Sequence, residues 1–400
     1  MELIGTRTTP SPLGPDRLRL VGEVAYDDRP GEREDYWFDV AAEHASSLSK
    51  TGNPWLACLL PLAATLGETL RIPMPVDRLL LRNARELPCI WKSWYPELYL
   101  VEVIAEAEPE RRAGGSRAGS FFTGGVDSFF TALRSTEAGA IPTDDLITVG
   151  GFDIPLDNLA AFERRRARLG AVAAELGKTL VDVVTNLRQT RLEKTGWGRL
   201  FHGGALASVG LALEGRYRRL LIASTHTYGR LVPLGSHPFT DPLFSTTRTE
   251  VLHDGAAYDR FGKLEYLSRH AVALRNLHVC FRAGSDHNCG SCEKCLRTMT
   301  ALELLGCLSS AESFPVKRLD VGRVARAYLR HPGLEAYYRP IRAGAVARGR
   351  RDVVRAVDRA VRRSRAIRRL MAIPDWLMQR RGLWRAARPI RRVLLAGEFV

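Results

Sequence analysis

Phe121-Phe122-Thr123-Gly124-Gly125-Val126-Asp127-Ser128 decides the fold. It lies within residues 118–133, which read as strand, tight glycine loop and helix. Gly119-Ser120-Phe121-Phe122 is short and apolar, as a buried strand requires. Gly124 and Gly125 permit positive φ and close backbone approach. Asp127 and Ser128 open a helix whose apolar side carries Phe129, Phe130 and Leu133. Backbone N–H groups at a glycine turn and a helix N-terminus form an anion cradle. The hydroxyls of Thr123 and Ser128 can add donors to it. The plain alternative is an ordinary strand–turn–helix that holds no ligand.

The Gly-Lys-Ser/Thr ending of a Walker loop is missing. The stretch instead resembles the PP-loop, Ser-Gly-Gly-x-Asp-Ser, of the N-type ATP pyrophosphatases, with Thr123 in the place of the usual Ser. That resemblance implies an enzyme that splits Mg2+-bound ATP into AMP and pyrophosphate and adenylates an oxygen of its substrate. Thr123, Gly124, Gly125, Val126, Asp127 and Ser128 would hold the ATP phosphates, with Asp127 and Ser128 also acting in catalysis.

Composition sets the outer bounds. Four hundred residues suggest two or three domains, and 45 % hydrophobic with 26 % charged residues is a globular balance. No apolar run reaches membrane-spanning length, since the longest, residues 55–66, is interrupted by Pro61. Met1-Glu2-Leu3-Ile4 does not open a secretory signal, so a cytoplasmic location is expected. Of seven cysteines four are clustered, which points to metal binding in a reducing compartment rather than to disulfides. The formal net charge of +15 is uneven. Residues 316–400 hold 23 Lys and Arg against 6 Asp and Glu, leaving residues 1–315 almost neutral. Charge arguments about partners therefore belong to the tail.

Residues 1–115 read as a small α+β domain of unknown role. Strands are expected at residues 18–24, 36–40 and 99–104, and a buried helix pair broken at Pro61 over residues 55–70. Residues 106–117 look like a linker. Residues 116–310 form the expected core. Further strands fall at residues 145–150, 179–184 and 219–224, with helices over 158–176 and 206–213 between them. Strands alternating with helices imply an α/β, doubly wound parallel sheet, whose ligands bind beyond the carboxyl ends of the strands. Arg199 and His202 precede the second of these helices. Arg199 can neutralise a phosphate or a carboxylate, or be merely solvated. His237 and Asp241 are the polar residues to test in a long loop over 235–246, rich in Pro, Gly and hydroxyls. Lys263, in a helix starting near Tyr258, is a candidate phosphate contact set against the plainer reading of a surface lysine.

Cys280, Cys289, Cys292 and Cys295 follow as Cys-x8-Cys-x2-Cys-x2-Cys. Four thiolates at this spacing suit a closed, structural tetrahedral zinc site, and nothing in the pattern demands an iron–sulfur cluster. A PP-loop followed by this cysteine pattern resembles the 7-cyano-7-deazaguanine synthase (QueC) family over about residues 118–307. That family has the HUP-like fold of the PP-loop enzymes. The resemblance implies adenylation of 7-carboxy-7-deazaguanine, conversion of the carboxylate through an amide to a nitrile with ammonia, and zinc on the four cysteines. Gly198-Arg199 is similar to the Gly-Arg of that family's Pro-Gly-Arg-Asn. The family's substrate loop, Asp-Tyr-Ser-Gly-Tyr-Pro-Asp-Cys-Arg, is not present after the fourth strand, where Thr225-His226-Thr227-Tyr228-Gly229 stands instead.

Residues 311–400 form a basic, helical region. Residues 350–370 carry Val353, Val354, Val357, Val361, Ile367 and Leu370 on or near one side, with arginines elsewhere. A second basic piece spans residues 376–395, with Trp376 and Trp384. Nucleic acid, an anionic membrane surface, or simple solvation of packed helices would each account for the arginines. The functional expectation is an ATP-dependent carbon–nitrogen ligase that adenylates a small-molecule carboxylate and passes it to ammonia or an amine. The alternatives are a PP-loop enzyme modifying a tRNA or other nucleic-acid base, and a non-catalytic ATP-binding scaffold. Oligomeric state is not legible.

Overall fold

Residues 1–108, 114–280 and 287–372 are described in the computed structural model. By internal contacts the chain divides into two units, Met1–Tyr258 and the residues from Asp259 on. The first unit is built on one sheet. Its strands are β1 (Glu2–Pro10), β2 (Arg17–Ala25), β3 (Arg33–Ala41), β4 (Leu70–Arg71), β5 (Val103–Ile104), β6 (Arg117–Phe121), β7 (Asp145–Gly150), β8 (Thr179–Thr185), β9 (Tyr217–Ala223) and β10 (Glu250–Asp254). Their spatial order is β10-β9-β6-β7-β8-β3-β2-β1-β4-β5. The helices of this unit are α1 (Asn53–Leu66), α2 (Arg78–Trp94), α3 (Val126–Arg134), α4 (Leu159–Glu175) and α5 (His202–Ala212).

The five strands β10-β9-β6-β7-β8 are all parallel, so this part is α/β as expected. Taken in chain order their arrangement is 3-2-1-4-5. From β6 the chain winds outward through β7 to β8, then crosses back to place β9 on the other side of β6. That reversal leaves a crevice between the carboxyl ends of β6 and β9, where open α/β sheets bind ligands. Right-handed crossovers place α3 and α4 on one face and α5 on the other.

The first 115 residues do not form a body of their own. β1, β2 and β3 make an antiparallel meander, and β3 pairs with β8 through Phe38↔Thr185, Asp39↔Val184 and Val40↔Val183. The boundary drawn from composition near residue 115 is therefore no break in the sheet. Such a short seam needs reinforcement. Arg17 of β2 supplies it, donating from Nε to Asp39 of β3 at 2.7 Å and from Nη1 to Asp182 of β8 at 2.7 Å.

Helix α1 is continuous through Pro61, not broken into a pair. It is apolar on all sides and enclosed along residues 53–64, so packing overrides the proline penalty. Proline leaves the Ala57 carbonyl without its helical N–H. Gly204 of α5 packs against that oxygen so closely that a Cβ would lie 2.8 Å from it. The strand expected at residues 99–104 shortens to β5, with Tyr99 and Leu100 exposed. β1, α2 and β10 were not anticipated from the sequence. α2 has a clear signal, because Asp77 caps it by accepting from the Leu79 N–H at 2.9 Å and Leu80, Ala84, Leu87 and Trp91 recur on one buried face.

The second unit is helical among the described residues: α6 (Arg260–Leu267), α7 (Ala271–Asn276), α8 (Glu293–Leu304), α9 (Val321–Arg326), α10 (Glu335–Ala347) and α11 (Arg351–Met371). The cysteine cluster lies between α7 and α8, in the same unit as the basic helices and not in the sheet unit. α11 matches the helix expected over 350–370, whereas the piece at 376–395 lies outside the described residues. No described helix is long and apolar enough to cross a membrane.

Replacing Arg17 by Ala leaves the fully buried Asp39 carboxylate with Arg19, 3.1 Å away, as its one cationic partner beside the Ser11 hydroxyl. The expected cost is about 3 kcal/mol, the scale for orphaning one partner of a buried ion pair. Urea unfolding monitored by tryptophan fluorescence measures it.

Candidate functional sites

The glycine loop sits at the reversal point of the parallel sheet. β6 ends at Phe121, and the Phe122 N–H still donates to the Ile147 carbonyl of β7 at 2.7 Å. Gly124 then takes φ +75°, a conformation that strains any residue with a Cβ. Gly125 precedes α3 with no side chain capping it, so the first N–H groups of the helix point into the loop without a side-chain acceptor. The buried rings of Phe122 and Phe129 meet edge to face with centroids 4.9 Å apart and fix the loop from beneath. Ser128 closes it: its Oγ accepts from the Thr123 N–H at 3.3 Å and donates to the Gly125 carbonyl at 3.1 Å. Thr123 is exposed and Asp127 half-buried. Residues 123–128 thus form one pocket-like turn, with the Ser128 hydroxyl engaged in the loop itself.

The other expected phosphate contacts differ from this. Arg199 pairs with Glu97 and lies over the Tyr95 ring, 4.3 Å from its centroid. Its charge already has a partner. Lys263 belongs to α6 in the second unit and is only 1 % exposed, so it is not the surface lysine of the plainer reading.

A second constellation surrounds Asp241, in the loop between β9 and β10. Its carboxylate is fully buried and accepts from Ser236 Oγ at 2.7 Å, from the His237 N–H at 3.1 Å and from His253 Nδ1 at 2.7 Å. His253 Nδ1 is thus aimed at the buried Asp241 carboxylate. The His237 tautomer is set by its own loop. Its Nδ1 accepts from the Phe239 N–H at 3.1 Å, so Nε2 carries the hydrogen. The His237 ring packs between Trp94 and Phe239, with centroids 4.8 and 4.9 Å away, and the His202 ring packs on Trp197 at 4.7 Å. Burial pushes both His237 and His202 below the ordinary imidazole value, and the nearby His253 pushes His237 further. Asp241 thus binds the His253 ring and the His237 backbone together. His237 and Asp241 were singled out from the sequence. His253 was missed because β10 was missed; its local signal is no more than the apolar pair Val251-Leu252 after a threonine-rich turn.

In the second unit the sulfur atoms of Cys280, Cys289, Cys292 and Cys295 lie within 4.8 Å of one another, and those of Cys289 and Cys295 are 3.9 Å apart. Tetrahedral zinc thiolates require about 3.8 Å between sulfurs, so this group could hold a metal ion such as zinc. All seven cysteines are free thiols. Gly290, at φ +65°, turns the chain back under Pro315. The N–H groups of Ser291 and Cys292 and the Ser291 hydroxyl then donate to Cys289 Sγ at 3.5, 3.3 and 3.4 Å. Burial opposes ionisation of Cys289, but these donors hold its thiol below the usual range. Asn288 joins the two arms of the cluster, donating to the Leu277 and Ser313 carbonyls and accepting from the Val279 N–H, all between 2.8 and 2.9 Å. The sequence gives no hint of that role beyond its position before Cys289.

The chain matches no protein-family model, no curated protein and no solved structure.

The depressed histidines fix a pH dependence. Unfolded imidazoles take up protons near pH 6.5, whereas folded His202 and His237 resist them, so acidification favours unfolding. Their contribution is fully present above about pH 6.5 and declines below it. Melting temperatures between pH 7.5 and 5.5 are expected to fall, and less steeply in a His202→Gln/His237→Gln variant.

Proposed function

We propose that the protein is an ATP-dependent, AMP-forming ligase of the PP-loop type. Its substrate carboxylate oxygen attacks the α-phosphorus of ATP, pyrophosphate leaves, and ammonia or an amine then displaces AMP from the acyl carbon to give an amide. The observation that carries this reading is the loop of residues 123–128, with Gly124 at φ +75° and an uncapped helix start, at the reversal point of a 3-2-1-4-5 parallel sheet. There the N–H groups of the loop and of the first turn of α3 hold the leaving pyrophosphate. Thr123 adds an exposed hydroxyl, Ser128 keeps the loop closed, and Asp127 stands in the first helical turn. Bound Mg2+ supplies charge neutralisation on the phosphates. The QueC-like pairing of this loop with four cysteines makes 7-carboxy-7-deazaguanine the first acid to test, although Thr225-His226-Thr227-Tyr228-Gly229 replaces that family's substrate loop.

The test is release of AMP from ATP in the presence of ammonium and 7-carboxy-7-deazaguanine, followed by mass spectrometry. Asp127→Ala is expected to lower AMP formation by a hundredfold or more, on the order of what loss of one preorganised group costs, with the circular dichroism spectrum unchanged. Unchanged turnover in that variant would sink the assignment. AMP without a deazapurine product would keep the ATP chemistry and reject that acid.

The four thiols act as a structural zinc clamp in this proposal. About one zinc per chain is expected by elemental analysis, as a closed tetrahedral site dictates. Cys292→Ser should lose the metal and melt at lower temperature. Zinc-free wild-type protein with the same melting temperature would refute the clamp.

A further inference from the structure

Helix α11 carries eight arginines and two aspartates. The centre of its apolar side is turned inward, with Val354, Val361 and Ile367 half-buried beside it. Val353, Ala356, Val357 and Ala360 are buried, α9 and α10 pack against the helix, and Ser364 Oγ accepts from the Leu329 N–H at 2.9 Å. Some arginines fix this packing. Arg365 and Arg368 donate to Glu335 of α10, Arg363 donates to the Arg326 carbonyl at 2.7 Å, and Asp358 is held in two hydrogen bonds by Arg342 at 2.7 and 3.1 Å.

Arg351, Arg355, Arg359, Arg362 and Arg369 remain. All five are exposed, and none is hydrogen-bonded to a carboxylate among the described residues. Arg362 lies near Asp358, whose charge is already engaged by Arg342. At 3.6 residues per turn the five fall within about 80° of one another, and from Arg351 to Arg369 the row is about 27 Å long. They face away from the buried side. A membrane-surface helix needs its apolar face outward, and here that face is turned into the unit. A single-strand binder stacks bases on aromatic rings, and α11 has none. A straight, fixed row of guanidinium groups suits a stiff polyanion, and a nucleic-acid duplex is stiff over far more than this length.

We propose that the outer arginine row of α11 binds the phosphate backbone of double-helical nucleic acid without reading its sequence. The inference is independent of the ATP chemistry, which resides in the other unit. The 400-residue chain is titrated with fluorescent DNA and RNA duplexes of about 20 base pairs, longer than the row, over a range of salt concentrations. The wild-type chain is expected to bind at least one duplex, with affinity falling steeply as salt rises. In Arg355→Gln/Arg359→Gln/Arg362→Gln the slope of log K against log salt should flatten by about 2.7, close to 0.9 for each lost phosphate contact. The corresponding triple lysine variant should retain most of the slope. Arg7→Gln/Arg29→Gln/Arg33→Gln removes the same charge from exposed positions in the sheet unit and should leave it unchanged. Duplex binding that is absent, or unaltered in the α11 glutamine variant, would overturn the proposal. So would an equal loss in the Arg7/Arg29/Arg33 variant, which would reduce the effect to net charge. Loss of binding to phosphatidylserine vesicles with duplex binding intact would overturn it in favour of a lipid surface.

Discussion

Asp145 holds the centre of the sheet together. It is the first residue of β7 and its side chain is fully buried. Arg117 of β6 donates to Oδ1 from Nε at 3.0 Å and Nη2 at 2.5 Å, and Arg216, just before β9, donates to Oδ2 from Nε at 2.6 Å. Burial alone would raise this carboxyl, but the two guanidinium groups hold it below the usual carboxylate range. One carboxylate thus ties three neighbouring strands, β7, β6 and β9, at their amino ends. Everything at the opposite rim, including the crevice between β6 and β9, depends on that register.

A second arrangement of the same kind extends the sheet. Arg17 bridges Asp39 and Asp182, joining the antiparallel wing to the parallel part. One anchor sets a carboxylate between two arginines and the other an arginine between two carboxylates, and both sit where strand pairing is short. The planar guanidinium can donate in two directions at once, which a lysine in the same place could not do with fixed geometry. At these short seams, unlike the long β1–β2 and β2–β3 ladders, buried ionic junctions join strands that are far apart in the chain.

The parallel part was legible in the sequence because its strands are buried on both faces and read as short apolar runs between helices. β6 to β9 and α3 to α5 follow from that pattern. The wing was legible only strand by strand. Nothing local in Tyr36-Trp37-Phe38-Asp39-Val40 says that its partner is β8, some 145 residues away. β10 escaped because Glu250-Val251-Leu252-His253-Asp254 is mostly polar, as an edge strand can be. α1 was misread at Pro61 because the rule for proline assumes a helix that must satisfy its own carbonyls, and here α5 packs onto the one set free. The glycine loop and the four cysteines were legible as motifs, since their spacing is local. The Asp241 cluster was half legible: the loop was, and its histidine partner on β10 was not.

The unanticipated edge strand explains how both faces of the rim are braced. Successive residues of a strand point to opposite faces. On β10, Asp254 turns to one face, where it accepts from Thr131 at 2.6 Å and pairs with Arg134, both on α3. His253 turns to the other, where it meets Asp241. The helix that begins at the glycine loop and the buried carboxylate of the histidine cluster are therefore positioned by adjacent residues of one strand. A slip of β10 by one residue against β9 would exchange the two side chains between faces. It would unclamp α3 and strip Asp241 of its imidazole in the same step. The loop and the histidine cluster are thus not independent features of the rim, because the pairing of β10 with β9 fixes both.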